Sequence, residues 1–153
     1  MARMIIRPAR RADLEKLLAL YLHLNPADEL LPIDEAERLF EDLQKYSGSA
    51  IFIGSIDDTV ITSCTLIVVP NLTRGGRPYG LIENVVTHAA HRRRGHGKQL
   101  LQAAVQAAWD ANCYKVMLLT GSKRPATHAF YTAAGFEQNK TGFQVRRIPS
   151  RGA

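Results

Sequence analysis

The feature that most constrains the fold of this chain is an apolar stretch that runs into a basic, glycine-containing turn and then into an amphipathic stretch. The three parts occupy residues 81–101 and read LIENVVTHAAHRRRGHGKQLL. Gly95 and Gly97 let successive backbone N–H groups approach an anion, and the dipole of a following helix favours the same charge. The stretch therefore predicts a β-strand leading into an anion-binding helix N-terminus, with a polyphosphate as its ligand.

Two nucleotide-binding motifs that rely on the same physics do not fit. The third glycine of the dinucleotide fingerprint would fall at position 100, where Leu100 stands. A P-loop needs Ser or Thr after its lysine, but Gln99 follows Lys98, and Arg92 replaces the first P-loop glycine. The turn therefore belongs to a different class of phosphate site.

The pattern Arg/Gln-x-x-Gly-x-Gly/Ala after a strand is filled by residues 92–97, and here the chain resembles the GCN5-related N-acetyltransferase family. Residues 83–87 (ENVVT) are similar to that family's central strand, and residues 130–136 to its Phe-Tyr-x-x-x-Gly-Phe signature. The opening residues 6–14 also look like the family's usual start. The resemblance implies an α/β fold with a mixed sheet of about seven strands and about four flanking helices, and acetyl-CoA between the fourth and fifth strands.

Apolar periodicity predicts the remaining elements. The first helix is expected after Asp13, and a second to begin at Asp34 with Glu37 as a capping-box partner and Leu39 pointing inward. Asp57 and Asp58 form a hairpin turn. The further expected elements are strands over 4–7, 50–56, 59–69 and 114–120, helices over 97–112 and 125–134, a polar loop over 70–78, and a C-terminal hairpin of 136–139 with 142–148.

Composition and length indicate one folding unit. Residues 1–149 are predicted to form a single N-acetyltransferase domain, and residues 150–153 a frayed tail. No apolar run approaches the roughly 20 residues of a membrane span, and the N-terminus lacks the centre of a secretory signal. The sequence therefore predicts a cytoplasmic protein without a membrane partner, in which Cys64 and Cys113 are buried thiols.

The net charge of +6 admits a nucleic-acid surface, an anionic small ligand or a generally basic exterior. One basic focus coincides with the glycine-containing turn, which favours the small ligand. Aromatic platforms between the arginines are missing, so no nucleic-acid partner is predicted.

The resemblance implies which residues hold acetyl-CoA as cosubstrate. The pantetheine arm lies along the central strand and the pyrophosphate on the turn, whose N–H groups suit it on physical grounds as well. Solvated arginines are the alternative interpretation of the turn. The predicted coenzyme-binding residues are Val85, Val86, Thr87, Arg92, Arg93, Arg94, Gly95, His96, Gly97, Lys98 and Phe130.

Acetyl transfer to an amine needs a base for the ammonium, a donor that polarises the thioester carbonyl and an acid for the leaving thiolate. Glu83 is the predicted base, the Val86 backbone N–H the polarising donor and Tyr131 the acid. Two structural alternatives stay open at this stage. Glu83 would be a solvent-facing strand residue, and Tyr131 a packed helix aromatic.

The other reactive side chains carry weaker hypotheses. His88 and His91, with His96 nearby, have histidine spacing that suits a metal, but no cysteine or carboxylate completes a ligand set, so no metal is predicted. His128 is expected at the surface. Cys113 as an acyl-enzyme nucleophile has no evident base partner, and core packing is favoured.

The acceptor amine stays open. The nearest resemblance within the family is to glucosamine-6-phosphate N-acetyltransferases, but this chain has Asn84 beside Glu83 where that group has adjacent acids, and residues 119–121 lack its aspartate. Glu83, Asn84, Lys123 and Arg124 are the predicted substrate-binding residues, the two cations for an anionic group. Aminoglycosides, amino acids and polyamines remain candidates. A non-catalytic acyl-CoA sensor is the alternative function, and a homodimer a further hypothesis.

Overall fold

The computed structural model of the protein describes residues 2–150 and places the central predicted strand within a mixed sheet. Strand order in the sheet is β1-β2-β3-β4-β5. Neighbours are antiparallel except for β4 and β5, which run parallel. The strands are β1 Ile5–Pro8, β2 Ala50–Ile56, β3 Thr59–Val69, β4 Tyr79–Thr87 and β5 Val116–Leu118.

Helices cover both faces of this sheet. Within residues 2–150 the α-helices are α1 Leu14–Tyr21, α2 Ile33–Gln44, α3 His96–Asp110 and α4 Pro125–Ala133. Short 3-10 helices at Arg11–Asp13, Arg74–Gly76 and Ala89–His91 raise the helix count above the four or so expected. None of the helices in this part of the chain has the length and apolarity to cross a membrane.

The alternation of side chains along the strands builds a core on each face. On one face Leu66 and Ile82 pack with Leu100 and Leu101 of α3. On the other, Ile53 and Val86 pack with α1 and α2 through residues that include Leu14, Leu17, Leu20 and Phe40. Helix α3 is the next α-helix after β4. The predicted anion-binding turn therefore lies between the end of β4 and the α3-side core.

Several local predictions are confirmed. The hairpin of β2 and β3 turns at Asp57 and Asp58, which both adopt positive φ. Asn112 and Gly135, with φ of 67° and 101°, follow the ends of α3 and α4 in the left-handed conformation that ends helices. Cys64 and Cys113 are both buried and free, and burial raises the pKa of the Cys64 thiol to about 12.

The predicted seven strands are wrong, because five form within residues 2–150. β5 has only three residues, all half-buried, so the expected long, doubly covered strand over 114–120 is also wrong. Residues 136–148 form no hairpin, and the side chains of Phe143 and Val145 are 91% and 99% exposed. No strand pairs with this segment within residues 2–150, although Gly142 lies beside Leu119 at the end of β5. Residues 151–153 of the predicted tail lie outside the described residues.

The start of α2 also differs from expectation. It begins at Ile33 with Pro32 as its N-cap residue, and no side chain caps it. Glu37 instead accepts a 2.6 Å bond from Arg11, which removes it from the predicted capping box. Leu39 is 44% exposed instead of inward-facing, while Phe40 takes the core position.

Candidate active site

A local irregularity interrupts the pairing of β4 with β3. Ser63 pairs with Val86 and Thr65 pairs with Glu83, so two residues of β4, Asn84 and Val85, lie opposite Cys64 alone. Asn84 has a φ of 54°, which asparagine tolerates better than most residues. Such a bulge kinks the strand and increases its twist.

Pairing with β5 ends just before this bulge. Residues 80–82 of β4 pair with Val116–Leu118, and in the part of the chain that the structure describes no strand pairs with that edge of β4 beyond Ile82. Residues 83–87 therefore present strand backbone along an open edge. An extended ligand can bind such an edge by forming strand-like hydrogen bonds.

The open edge leads to the glycine-containing turn, where the two glycines are needed for different reasons. Gly95 is the N-cap residue of α3, with a left-handed φ of 82°. Gly97 is needed for space, because a Cβ there would lie 3.1 Å from the Phe130 ring and 3.3 Å from Thr87 Oγ1. Both features let the first turn of α3 come close to the strand and keep backbone N–H groups accessible.

Arg92 holds the turn to two other elements. Its Nε donates to the Thr87 carbonyl and its Nη2 to the His23 carbonyl, both at 3.1 Å. The guanidinium thus connects the end of β4 with the residues just after α1. Arg93, with a φ of 60°, adds another left-handed residue to the turn.

The remaining turn residues supply positive charge. Arg93, Arg94 and Lys98 are exposed, and His96, the first residue of α3, is half-buried. Exposed cations at a helix N-terminus suit a polyphosphate, since the dipole and the side-chain charges act in the same direction.

The structure brings the three predicted catalytic groups to the bulge. Burial raises the pKa of the Tyr131 phenol, and the nearby Cys64 and Glu83 side chains raise it further. Tyr131 is half-buried on α4 and Glu83 is exposed on β4. Val86 has a buried side chain in the core under α1, and its carbonyl accepts a bond from Thr62 Oγ1 at 3.0 Å. That carbonyl faces β3, on the paired side of β4, where Val86 pairs with Ser63.

The residues expected beside these groups are partly assembled. Val85 packs at the margin of the α3-side core, Phe130 lies against Gly97, and Thr87 Oγ1 lies 3.0 Å from Thr62 Oγ1. Lys123 and Arg124, by contrast, are exposed in the loop before α4, and no hydrogen bond or ion pair of their side chains occurs within residues 2–150.

His128 differs from its prediction. It is half-buried instead of at the surface, and its Nε2 lies 2.8 Å from the Ser122 carbonyl. The ring is therefore engaged in holding the loop before α4 to the helix.

Two features of the site escaped sequence reasoning. The bulge at Asn84 had as its only signal an asparagine within a β-branched run. Tyr21 was read as part of the apolar face of α1, but its phenol reaches β3. Burial raises the pKa of Tyr21, and the neighbouring Thr65 and Ser63 side chains oppose this shift. Within residues 2–150 there is no group of three or more His, Cys, Asp or Glu side chains that could hold a metal ion.

Comparison with solved structures identifies the fold. A protein of Agrobacterium tumefaciens, provisionally described as an acetyltransferase, is 49% identical, with a TM-score of 0.88 over 94% of this chain and 99% of that one. An aminoglycoside N-acetyltransferase, AAC(6')-Iy, solved with CoA, shares the fold at 22% identity and a TM-score of 0.78, over 97% of each chain. The fold, with its opened strand and anion-binding turn, is that of the acetyltransferases.

Sequence comparison gives the family. The model described as "Acetyltransferase (GNAT) family" matches residues 14–136. The glucosamine 6-phosphate N-acetyltransferase of Trypanosoma brucei brucei is 30% identical over 137 residues, which are 88% of this chain and 90% of that protein. The chain belongs to the GNAT family and is an acetyl-CoA-dependent acyltransferase, as the resemblance of its motifs implied.

Proposed function

We propose that this protein transfers the acetyl group of acetyl-CoA to a primary amine of a small molecule, by direct attack within a ternary complex. The observation that carries the proposal is that Tyr131 lies near enough to Glu83, beside the open edge of β4, for that carboxylate to raise the pKa of its phenol. That edge leads directly into the anion-binding turn. A long ligand with a phosphate end and a reactive thioester end matches this arrangement.

The open edge and the turn would hold the two ends of such a ligand. The backbone of Val85, Val86 and Thr87 would pair with the pantetheine arm along the open edge. N–H groups of residues 93–98 would bind the pyrophosphate, with Arg94 and Lys98 adding charge. The close approach at Gly97, where a Cβ would press on Phe130, supports this placement because it keeps the first turn of α3 free of side-chain bulk.

Each of the three groups then has one role in the reaction. Glu83 takes a proton from the ammonium, directly or through water, and frees the lone pair that attacks the thioester carbon. The Val86 N–H donates to the carbonyl oxygen as negative charge develops there. As the C–S bond breaks, Tyr131 gives its proton to the departing sulfur. A phenol whose pKa is raised by burial carries that proton at neutral pH.

The acceptor is the least constrained part of the proposal. Glucosamine 6-phosphate is the first amine to test, because the relative from Trypanosoma brucei brucei carries that substrate in its name. Lys123 and Arg124 are exposed near α4 and free to meet a phosphate. Asn84 beside Glu83 offers an amide where that group of enzymes has a second acid, so a different amine orientation is also proposed.

Release of free thiol from acetyl-CoA in the presence of a panel of primary amines tests the proposal. We expect release that depends on the amine and falls on the order of 100-fold in Glu83→Gln, as removal of a general base predicts. The matched control is Glu137→Gln, which changes an exposed glutamate beyond α4. Coenzyme binding without thiol release for any amine would favour the acyl-CoA sensor instead.

We also propose a cytoplasmic homodimer in which residues 1–149 act as one domain. The support for the dimer is the C-terminal segment, where Phe143, Val145 and Ile148 expose most of their apolar surface. A second copy of this chain is the proposed cover, because burial of such side chains is favourable. Light scattering should give twice the chain mass, and a truncation after Asn139 half of that. A monomeric mass for the full chain at all concentrations would refute the dimer.

A further inference from the structure

Four of the chain's five histidines form a continuous row around the anion-binding turn. The ring centroids of His23 and His88 are 4.0 Å apart, those of His88 and His91 5.5 Å, and those of His91 and His96 6.3 Å. The row starts just after α1, passes the 3-10 helix Ala89–His91 and ends at the first residue of α3. We call these four side chains the histidine row.

His91 has an unmet hydrogen-bonding requirement. Its Nδ1 is buried, and within residues 2–150 this atom has no hydrogen-bond partner. A buried polar atom left unpaired is destabilising. The neighbours in the row are satisfied differently, since Nδ1 of His23 and of His88 accept from the Ala89 and Ala90 N–H groups.

The surroundings of the row are basic. Burial lowers the pKa of His91, and Arg94, His88 and His96 lower it further. Burial, His88 and Arg92 act in the same direction on His23. In the free protein both shifts favour the neutral imidazole of His91 and of His23.

Among the residues that line the cavities at the two ends of the row, Asp58 is the one acid. A surface cavity of about 280 Å³ beside His23 and His88 is also lined by Lys16 and Asp58. Lys16 Nζ donates to the Asp58 carbonyl. At the other end, Arg3 and Arg94 line the groove next to His96. A polyanion at the turn would thus be the dominant negative charge near His91 and His96.

We propose that His91, with His96 beside it, is part of the phosphate site, and that the histidine row takes up a proton from solvent when the coenzyme binds. This inference rests on the proposed function, because it requires the coenzyme's pyrophosphate at the turn. Protonation gives His91 Nδ1 a hydrogen to donate, and an opposite charge nearby favours the charged imidazole. The row would then carry more positive charge when the anion is bound.

The sign of the pH dependence follows. Binding that takes up a proton strengthens as pH falls. A one-unit rise in the pKa of one histidine on binding corresponds to a gain in affinity of at most about tenfold. We therefore expect binding at pH 6 to be tighter than at pH 8, by up to about tenfold.

The test is titration calorimetry at pH 7 in buffers of different ionisation enthalpy, which counts protons taken up per ligand. The probe is dephospho-coenzyme A, because a phosphate monoester titrates near pH 6 itself and this probe lacks one. Wild type should take up a substantial fraction of a proton. His91→Gln and His96→Gln should each reduce the uptake by about half or more, while His128→Gln, outside the row, should leave it unchanged.

The outcomes separate the two proposals. Binding of the probe without proton uptake, or equal uptake in wild type, His91→Gln and His96→Gln, overturns the inference and leaves coenzyme binding intact. If wild type binds neither dephospho-coenzyme A nor coenzyme A, both the inference and the proposed coenzyme site are overturned. His96→Gln provides the independent variant if His91→Gln does not fold, because His96 is half-buried at the start of α3.

Discussion

The two edges of β4 differ in a way that separates stability from function. Its edge toward β3 is paired from Tyr79 to Thr87, with one bulge. Side chains of these two strands contribute to the core on each face of the sheet. Its edge toward β5 is paired only over residues 80–82. Substitutions at the paired edge should lower the free energy of unfolding, while substitutions at the open edge should lower the affinity for the ligand. Substitutions on each edge should therefore affect different measurements.

The largest effect is expected at Gly97, in the turn to which the open edge leads. Gly97→Asp should weaken coenzyme A binding by at least about 1,000-fold, or ~4 kcal/mol, because it places a carboxylate against the phosphates. Gly97→Ala is the control for bulk alone, since its Cβ needs only a small shift of the Phe130 ring. Calorimetry with a circular dichroism check of folding measures both. Wild-type affinity in a folded Gly97→Asp protein would remove the coenzyme from this turn.

On the paired edge, Leu66→Ala should reduce the free energy of unfolding by about 2–5 kcal/mol, because Leu66 is fully buried and its loss leaves a cavity. Coenzyme affinity of the folded protein should stay within about twofold, since the substitution leaves the turn untouched. Leu119→Ala is the matched control, because Leu119 is 69% exposed next to β5. Denaturant unfolding compares the two. Equal losses would contradict the division between the edges.

Tyr131 joins the two regions, because it packs beside the α3-side core and the charge of Glu83 acts on its phenol. Tyr131→Phe keeps the ring and deletes the proton source, so kcat should fall about 10- to 1,000-fold, or ~1.4–4 kcal/mol, with little change in coenzyme affinity. Steady-state rates under conditions where chemistry limits turnover provide the measurement. Turnover within twofold of wild type would reduce Tyr131 to a packing residue.

The smallest effect concerns pH and the first strand. Asp13 accepts bonds of 2.7 and 2.9 Å from Arg7 and one of 2.7 Å from the Arg10 N–H. The Arg7 hydrogen bond lowers its pKa most, against the effect of burial. Its folded pKa thus lies below its unfolded value, so its stabilisation is present above about pH 4 and is lost as pH falls below that value.

Asp13→Asn should accordingly cost about 1–2 kcal/mol of unfolding free energy at pH 7. The cost should shrink as pH is lowered from 5 to 3. Asp42→Asn is the control, because Asp42 forms an exposed pair with Lys45 and such pairs contribute little to stability. Urea unfolding across this pH range decides the matter, and a pH-independent difference between Asp13→Asn and wild type would argue against the ion pair.

Much of the fold could be predicted because its signals are local. The turn at Gly95 and Gly97 and the hairpin at Asp57 and Asp58 depend on backbone conformations that particular residue types favour. The C-terminal hairpin was wrong for the opposite reason, since β-branched and aromatic residues indicate a strand only if another strand is available to pair with it. The alternation of apolar residues there says nothing about that neighbour.

In the site, too, local features could be predicted and contacts between distant segments could not. Its phosphate end was readable from glycine spacing, whereas the register that brings Glu83 toward Tyr131 depends on a bulge, and a shift of one residue reverses which face a side chain occupies. The bonds of Arg92 to two carbonyls and the orphan Nδ1 of His91 also depend on distant chain segments. No pattern within one stretch of sequence encodes them.

The left-handed residue at Asn84 has a consequence for solubility. Unpaired strand backbone is a template on which other chains add strands and aggregate. The bulge limits the regular part of the open edge to a few residues and twists it, which is one of the ways natural sheets avoid such growth. Asn84→Val would favour a flat, β-branched run from 84 to 87. We expect that variant to become turbid on storage sooner than wild type, and coenzyme A, by covering the same backbone, to delay it.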